Sequence, residues 1–398
     1  MPGTRIWTLP ESLDDGFPYR LADMTHVVGG CLYYAKAGNG VLGMLEPAAR
    51  RAHEWVIPAE AAPAAVAPGN TLGSASRLSL TPGRAPKVWC TIDAWHALGE
   101  FDPVLGQLRV YSSAATGPVN EGGVQPFAAP RCVLAESATR IWFGARSYPD
   151  RNPLIGLLDT AAARVVYWTL GGPAAHGTVE DLVIGADGRL WFACSSQAGE
   201  GENVAFLGVL DTHNRWVHYW MAPGVLAVTP DRTVGARRLG AQRPRSATRV
   251  WLVLRNAYRS MLLQVDAASG AMLQYGAVNL PDGQFDIAVP GANRTAVGYR
   301  DFFRLYDNVS GCRFPVEFEA STAEVRAVTA DVRISVGKGT AVKTKLQTRK
   351  VQTLVTDQAC WNTLTPEAPS LCDFLRVESG GRLWLGRQTG NEIGLYTP

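Results

Sequence analysis

Charged residues and paired cysteines are scarce in this sequence. Only 18% of the 398 residues are charged, and 38 basic against 35 acidic residues leave a formal net charge of +3. The basic residues are scattered apart from two short clusters, Arg237–Arg245 and Lys338–Lys350, whereas nucleic-acid binding usually needs a concentrated basic face. The seven cysteines form no CxxC pair, which disfavours a zinc knuckle and a disulfide framework. We therefore expect reduced thiols and no nucleic-acid partner.

Long apolar stretches are also missing. No window approaches the roughly 20 apolar residues of a membrane helix, and Met1–Trp7 contains no apolar segment of a signal peptide. The sequence has no HExxH, no GxSxG and no phosphate-binding glycine loop, which disfavours zinc hydrolases, serine hydrolases and nucleotide-binding proteins. We expect a protein of the cytoplasm, or part of a particle assembled there, with no membrane contact.

A unit that recurs along the chain is the main positive signal. It consists of a basic or small residue before an aliphatic-Trp-aromatic run, a Leu-Ile-Gly-type strand ending in Asp, and an outer strand ending in an aromatic residue. No linker divides the chain, and 41 Gly and 25 Pro make it rich in turns. The third and fourth copies match position by position, with Arg140–Phe143, Leu154–Thr160 and Val165–Trp168 against Arg189–Phe192, Phe206–Thr212 and Trp216–Trp220.

The period of this unit predicts an all-β fold, a single β-propeller domain over residues 1–398 with seven or eight four-stranded blades. The final copy, Arg382–Pro398, stops before its outer strand, and residues 4–10 resemble the outer strand Glu54–Pro58 of the first copy. We therefore expect the N-terminal strand to pair in the C-terminal blade and close the ring, which removes exposed sheet edges. The predicted blades span residues 17–58, 65–114, 121–170, 177–222, 223–278, 280–318, 320–360, and 369–398 plus 4–10.

The repeated Trp and Gly residues predict packing rather than a site. Each Trp falls on a central strand, where a large aromatic side chain buries roughly 150–250 Å², here between neighbouring blades. The Gly of the Leu-Ile-Gly-type strand is expected to allow close approach of the backbone, and Asp before Thr, Pro or Ala is a turn signal.

An Asp-Gly turn precedes Leu-Trp-Phe in Gly185–Phe192, and Gly390–Tyr396 repeats the next part of the same motif. These segments resemble the blades of the virginiamycin B lyase (streptogramin lyase) family, and the resemblance touches most of the chain. It implies a β-propeller that opens a cyclic depsipeptide by elimination with a divalent metal, usually magnesium. The family's inner-strand histidine and its glutamate after Trp-Phe-x fall on Glu180 and Cys194 here. The family's pair is therefore not matched, and catalysis stays an open question.

Charged residues at the predicted inner strands form the candidate site. In a propeller these strands and the loops leaving them surround an axial funnel, the usual place for a ligand. Such a ring of mixed charge could orient a polar ligand, or it could be a set of solvated ion pairs worth about 0–1 kcal/mol each. The candidate catalytic residues are His176 and Glu180, and the expected ligand-binding funnel residues are Lys36, Arg131, Asp181, Asp373 and Arg387.

Three functions are compatible with these residues. The first is a recognition or assembly module without a cofactor, which binds a protein partner, a larger assembly or a small-molecule ligand through its rim loops or axial funnel. The second is a metal-assisted C–O lyase acting on a cyclic depsipeptide or a similar ester. In that case His176 or Glu180 abstracts a proton, with magnesium as the metal. The developing anion is then stabilised by one of Lys36, Arg131 and Arg387. Sugar binding by exposed aromatics is the third, although the Trp residues fall mostly at blade-core positions.

Overall fold

The chain folds into β-strands, with no α-helix among the described residues of this computed structural model. Two 3-10 helices, Ala59–Ala61 and Asp93–Trp95, interrupt the strands. No helix in this part of the chain is long and apolar enough to cross a membrane. The described residues are 3–9, 20–25, 27–38, 40–63, 73–83, 85–113, 130–146, 153–170, 177–184, 189–198, 202–212, 216–221, 235–241, 249–255, 260–266, 272–275, 285–288, 294–298, 303–307, 313–314, 319–324, 326–330, 334–335, 344–345, 347–352, 354–358, 374–377, 383–387 and 391–397.

The described strands form seven antiparallel sheets, numbered here along the chain after the opening strand β1 (Gly3–Thr8). Sheet 1 contains β2 (Arg20–Met24), β3 (Leu32–Ala37), β4 (Val41–Glu46) and β5 (Arg51–Val56). Sheet 2 contains β6 (Ala75–Leu80), β7 (Val88–Ile92), β8 (Ala97–Asp102) and β9 (Gln107–Ser113). Sheet 3 contains β10 (Cys132–Ala135), β11 (Arg140–Arg146), β12 (Pro153–Asp159) and β13 (Arg164–Thr169). Sheet 4 contains β14 (Thr178–Ile184), β15 (Leu190–Ala198), β16 (Glu202–Asp211) and β17 (Trp216–Met221). Sheet 5 contains β18 (Gly235–Ala241), β19 (Arg249–Arg255), β20 (Ser260–Asp266) and β21 (Met272–Tyr275). Sheet 6 contains β22 (Phe285–Ala288), β23 (Arg294–Gly298) and β24 (Phe303–Asp307). A segment that we call the belt, residues 313–358, then contributes β25 (Arg313–Phe314), β26 (Glu319–Glu324), β27 (Arg326–Ala330), β28 (Ile334–Ser335), β29 (Thr344–Lys345), β30 (Gln347–Gln352) and β31 (Leu354–Gln358). Sheet 7 contains β32 (Phe374–Val377), β33 (Leu383–Arg387), β34 (Glu392–Thr397) and β1.

Each sheet is a meander, in which every strand pairs antiparallel with the next one along the chain. Sheets 1 to 5 have four such strands, sheet 6 has three described strands, and sheet 7 takes its fourth strand from the other end of the chain. In sheet 7, β1 pairs with β34 from Gly3 opposite Thr397 to Thr8 opposite Glu392. The all-β class is therefore confirmed, and the N-terminal strand lies in the C-terminal sheet.

Apolar side chains fill the space between consecutive sheets. Between sheets 2 and 3, Trp89 stacks on Tyr111 with ring centroids 5.2 Å apart, in a cluster that also contains Phe143 of sheet 3. Trp142 and Trp168 of sheet 3 lie in the cluster shared with sheet 4, with ring centroids 5.5 Å apart. Further clusters join sheet 7 to sheet 1 and sheet 1 to sheet 2. The predicted packing of Trp between neighbouring sheets is confirmed at these positions.

A glycine on the third strand faces an aromatic ring on the second strand in three of the sheets. Gly156 is the register partner of Phe143, and a Cβ added at Gly156 would lie 2.2 Å from the ring of Phe143. The expected close approach of the backbone is therefore wrong in detail, because the glycine makes room for a side-chain ring. The same arrangement recurs in sheets 1 and 4, in the pairs Tyr34–Gly43 and Phe192–Gly208.

The belt does not form a blade of its own. Its strands pair antiparallel, one after another, with the outermost strands of six sheets. The blade predicted over residues 320–360 is therefore wrong. Alternating residues give the same pattern whether a strand pairs with its neighbour in the chain or with a distant strand. The pairs are β25 with β21, β26 with β17, β27 with β13, β28 and β29 with β9, β30 with β5, and β31 with β1.

We expect Gly156→Ala to destabilise the protein by about 1–3 kcal/mol, the usual cost of overpacking a core, because the new methyl group meets the ring of Phe143. Urea denaturation measures the free energy of unfolding. In a Phe143→Ala background the ring is absent, so the same glycine substitution should cost little. Equal costs in the two backgrounds would contradict the contact.

Candidate functional site

The first strand of each sheet, on the edge away from the belt, is called here its inner strand. Inner strands of consecutive sheets contact one another, as β2 does with β6, β6 with β10, β10 with β14 and β14 with β18. Strand β18 of sheet 5 also contacts β32 of sheet 7. The inner strands therefore converge, which is the arrangement that an axial opening requires.

Four inner strands, β2, β6, β14 and β18, have an extra residue at corresponding positions, and the residue before a fifth, β10, is bonded in a similar way. In a β-bulge two residues oppose one on the neighbouring strand, and the side chain is re-aimed. At the start of β10 the N–H of Arg131 donates to the carbonyl oxygen of Gly144 at 2.8 Å, although the register partner of Gly144 is Cys132. In β2, β6, β14 and β18 the residues at the register shift are Ala22, the pair Ser76 and Arg77, Glu180, and Arg237.

The half-exposed side chain of Arg131 is paired with Asp93 of sheet 2. Nη1 of Arg131 lies 3.5 Å from Oδ2 of Asp93, and the two side chains are 48% and 29% exposed. Ser76 Oγ donates to Oδ1 of Asp93 at 3.0 Å and lies 2.8 Å from Oγ1 of Thr91. Burial raises the pKa of Asp93, while Arg131 and Ser76 oppose this shift. The carboxylate is thus fixed by its own sheet, and the guanidinium group is held loosely.

Charges from sheets 2 and 4 act on the buried thiol of Cys132 in sheet 3. Burial, followed by the negative charges of Asp181 and Glu180, holds the pKa of Cys132 well above its usual range, and the positive charge of Arg77 opposes this. Burial also raises the pKa of Cys194, with Glu180 adding to the shift. Charged side chains of sheets 2 and 4 therefore both lie within electrostatic reach of the Cys132 thiol in sheet 3.

These side chains form what we call the inner-strand site. Glu180 and Asp181 are half-buried residues, and the side chain of Arg131 is 48% exposed. Groups of both charges can bind a polar or zwitterionic ligand through charge-assisted hydrogen bonds. The site consists of Arg77, Asp93, Arg131, Glu180 and Asp181.

Lys36, predicted to line the funnel, lies elsewhere. Its side chain is 2% exposed, and Nζ donates to Oε1 of Glu54 at 2.6 Å. The same oxygen accepts the hydroxyl of Tyr34 at 2.7 Å. The side chain of Lys36 therefore points toward Glu54 of β5 and not toward an opening. The pairing fits the burial, because a buried ammonium group needs a charged partner. The prediction that Lys36 lines the funnel is therefore wrong.

The other predicted residues fall into two groups. Arg131, Glu180 and Asp181 lie at the inner strands of the adjacent sheets 3 and 4. Strand β33 places the backbone of Arg387 in sheet 7. Outside the described residues lie His176, Asp373 and the side chain of Arg387, so their roles stay predictions.

Sequence reasoning did not find Arg77 and Asp93. Asp93 begins the 3-10 helix that follows β7, a position that the repeat assigns to a loop. Arg77 lies at a bulge, where the extra residue breaks the alternation of the strand. The available signal was the adjacent polar pair Ser76 and Arg77 in a strand where strict alternation allows a single polar residue.

The described acidic groups do not fit a magnesium ion. No three His, Cys, Asp or Glu side chains in the described ranges are grouped so that they could hold a metal. Oxygens of Asp93 are engaged by Ser76 and Arg131, and Oδ1 of Asp181 accepts the N–H of Leu182 at 3.0 Å. A hard divalent ion needs several oxygen ligands, and this set does not converge to supply them.

Comparisons with known proteins extend these observations. No protein-family model matches the chain, and no curated protein matches it. The structure of streptogramin B lyase matches with a TM-score of 0.51 and 12% identity, over 99% of this chain and 98% of that chain. The extracellular domain described as that of a hybrid two-component system from B. thetaiotaomicron matches with a TM-score of 0.50 and 12% identity, over 98% of this chain and 41% of that chain. Virginiamycin B lyase from Staphylococcus aureus matches with a TM-score of 0.40 and 11% identity, over 99% of both chains.

The chain therefore has the fold of the streptogramin B lyase structure, as its blade motif predicted. At 12% identity this likeness shows the fold alone. The chemistry of this protein must be argued from its own residues.

We expect Lys36→Met to destabilise the protein by about 3–5 kcal/mol, because it leaves the carboxylate of Glu54 buried without its cation. Adding Glu54→Gln to the Lys36→Met variant should recover much of the lost free energy of unfolding, since the hydroxyl of Tyr34 can still donate to the amide oxygen. Arg140→Met is the matched control, because the pair of Arg140 and Glu136 is exposed and its loss costs about 0–1 kcal/mol. Urea denaturation measures all three variants. A loss at Lys36 no larger than at Arg140 would contradict the buried pair.

The pKa of Asp93 should rise further in Arg131→Met, because this variant removes a charge that lowers it. A carboxyl group with a raised folded-state pKa binds more protons when folded. The free energy of unfolding therefore falls as pH rises from the ordinary pKa of 3.8 through the folded-state pKa. Urea denaturation across this pH range should show a larger fall in Arg131→Met than in Arg131→Lys. In an Asp93→Asn background the two Arg131 variants should show the same fall in the free energy of unfolding. A difference that persists there would show that another group titrates.

Proposed function

We propose that the seven sheets are the blades of one β-propeller whose ring is closed by β1 in sheet 7. The sheets follow one another in chain order, and apolar clusters join sheet 7 to sheet 1, sheet 1 to sheet 2, sheet 2 to sheet 3 and sheet 3 to sheet 4. The contact of β18 with β32 brings sheets 5 and 7 near each other across the inner strands. The fold match to streptogramin B lyase over 99% of the chain supports this arrangement.

Within this propeller, we infer that the protein is a recognition or assembly module that binds a protein partner or a ligand at the inner-strand site. The loose contact of Arg131 with Asp93 carries the inference. A half-exposed ion pair contributes little to stability, so its guanidinium group can change partners at small cost. An incoming carboxylate can then form two parallel hydrogen bonds with Arg131. Glu180 and Asp181 are placed to accept donors from the same partner.

Cys194 supports binding over the elimination chemistry of the resembling family. It stands where that family has its glutamate, and it is fully buried with a raised pKa. A protonated thiol with no exposed surface is neither a metal ligand nor a base for a substrate proton. The match to an extracellular domain described as part of a two-component system supports the same choice, because this fold is not confined to lyases.

A lyase with a rearranged site is the second candidate, and the fold match to streptogramin B lyase favours it. In this alternative Glu180 or His176 removes the proton, and Arg131 binds the developing negative charge. Glu180 and Arg131 lie in the described part of the site. The described acidic groups do not hold magnesium, so no step through a metal follows from these residues.

A reducing compartment fits the thiols, and we propose the cytoplasm or a particle assembled there. Four described cysteines are thiols and not disulfides, and three of them, Cys90, Cys132 and Cys194, are buried. Burial raises the pKa of Cys90 to about 12, which keeps its thiol protonated.

A charge reversal tests the recognition function. The full chain is immobilised and exposed to cell extract of the organism that makes it, and bound proteins are quantified by mass spectrometry. Arg131→Glu should lose a partner that the unmodified protein captures. Arg140→Glu, which changes an exposed arginine at the start of β11, should retain it. The same dependence on both arginines would show that capture follows net charge and not the inner-strand site.

A ring-opening assay separates the two functions. The protein is incubated with a cyclic depsipeptide of the streptogramin B class, with magnesium or with EDTA, and the products are followed by mass spectrometry. We expect no linear product under either condition. Product that disappears with EDTA and in Glu180→Gln would establish the lyase in place of the recognition module.

A further inference from the structure

The belt runs around the sheets in the reverse of their chain order. After sheet 6 the chain pairs first with sheet 5, then with sheets 4, 3, 2 and 1, and finally with β1 of sheet 7. Only then does it form β32, β33 and β34 of sheet 7. In a ring of seven, sheets 6 and 7 are neighbours. The chain therefore joins two neighbours by the longest available route.

The length of each pairing shows where the belt is attached most firmly. It pairs over six residues with β17 of sheet 4 and with β5 of sheet 1, and over five residues with β13 of sheet 3 and with β1 of sheet 7. It pairs over two residues with β21 of sheet 5 and over two plus two with β9 of sheet 2. Along the belt, each short attachment is thus followed by two long ones.

The surface that the belt covers is one that proteins must protect. An outermost strand presents a row of unpaired N–H and C=O groups, which pair readily with a strand of another molecule. With the belt in place, these groups on six of the seven sheets are bonded to a strand of the same chain. The attachment is made by the backbone, as in recognition by β-strand addition, but within one chain.

We propose that the belt is a strap that locks the ring from outside and protects its outer edges from other copies of the chain. This inference rests on the proposed ring of seven blades. Two neighbouring sheets that both pair with the belt can separate only if the belt leaves one of them, so the strap couples six of the seven sheets. Partners are then received on the inner-strand side, because the outer edges of these six sheets are occupied.

Engineered cysteine pairs test whether the belt is attached within one chain. Val166 of β13 and Thr329 of β27 are register partners, and opposed residues in an antiparallel pair have Cβ atoms about 4.5–5.5 Å apart. Val166→Cys with Thr329→Cys should form a disulfide on mild oxidation. The control is Val166→Cys with Ala327→Cys, in which the second cysteine lies two residues away from the register partner of Val166. This pair should form no disulfide. The buried native cysteines are the same in both variants and react slowly because their pKa values are raised.

Isotope mixing identifies the chain that supplies each strand. Equal amounts of ¹⁴N- and ¹⁵N-labelled protein are unfolded together, refolded and oxidised, and the disulfide-linked peptides are analysed by mass spectrometry. We expect each linked peptide to carry one label on both halves. Linked peptides of mixed label, or no more disulfide than in the displaced control, would overturn the strap.

A proline variant tests the locking and protecting roles. Of two adjacent strand residues, one directs its N–H toward the partner strand, so Ala327→Pro with Val328→Pro removes at least one bond to β13. Hydrogen exchange in Arg164–Thr169 should become faster, and the variant should self-associate in sedimentation. The control, Ala327→Ser with Val328→Thr, keeps both N–H groups and should behave as the unmodified protein. Unchanged exchange in Arg164–Thr169 would overturn the proposal.

None of these substitutions lies on an inner strand. The capture experiment with Arg131→Glu can therefore be read independently of the strap. If the cysteine pairs fail while the capture depends on Arg131, the strap is wrong and the recognition module stands. If the disulfide forms within one chain while no captured protein depends on Arg131, the strap stands and the proposed function fails.

Discussion

The edges of the sheets are the constraint on which this architecture depends, because a short meander leaves unpaired backbone groups on both of its sides. On the inner side, polar side chains of one sheet bind the main chain of the next. Asn391 Oδ1 accepts the N–H of Leu21 at 2.7 Å, joining sheet 7 to sheet 1, and Asp23 Oδ2 accepts the N–H of Leu78 at 3.0 Å, joining sheet 1 to sheet 2. On the outer side the belt supplies a further strand. The outer edges of six of the seven described sheets are therefore paired with strands of this same chain.

The candidate site follows from the same treatment of the inner edge. Each bulge inserts a residue into an inner strand, and that residue no longer follows the alternation between the two apolar faces of the sheet. At such positions Arg77, Arg131 and Glu180 can be charged without disturbing the packing on either side. The core tolerates no comparable freedom, since the ring of Phe143 already fills the space left by Gly156. Charge is thus displayed where the strands are irregular.

How far the sequence predicts this structure depends on how local each signal is. Phe143 and Gly156 belong to one hairpin of the repeat, so their strands could be read from the spacing, although the packing of the ring on the glycine could not. The partner of Val166 is Thr329, 163 positions away, and nothing in the local pattern of either strand indicates it. The prediction for Lys36 fails for a similar reason, because its buried partner Glu54 lies two strands further along the chain and the local pattern does not indicate the pairing. Arg131 and Glu180 could be placed on inner strands from the sequence because their positions recur from copy to copy.

The position of β1 also has a consequence for synthesis of the protein. This strand lies between β34 and β31, so it pairs only with strands that are translated at least 346 positions later, the separation of Thr8 and Leu354. Sheets 1 to 5 can form in order on the nascent chain, since most of their contacts are local. Meanwhile Ile6 and Trp7, which are 3% and 0% exposed in the finished fold, have no partner strand. Both apolar side chains therefore wait for burial until β31 and β34 have been made.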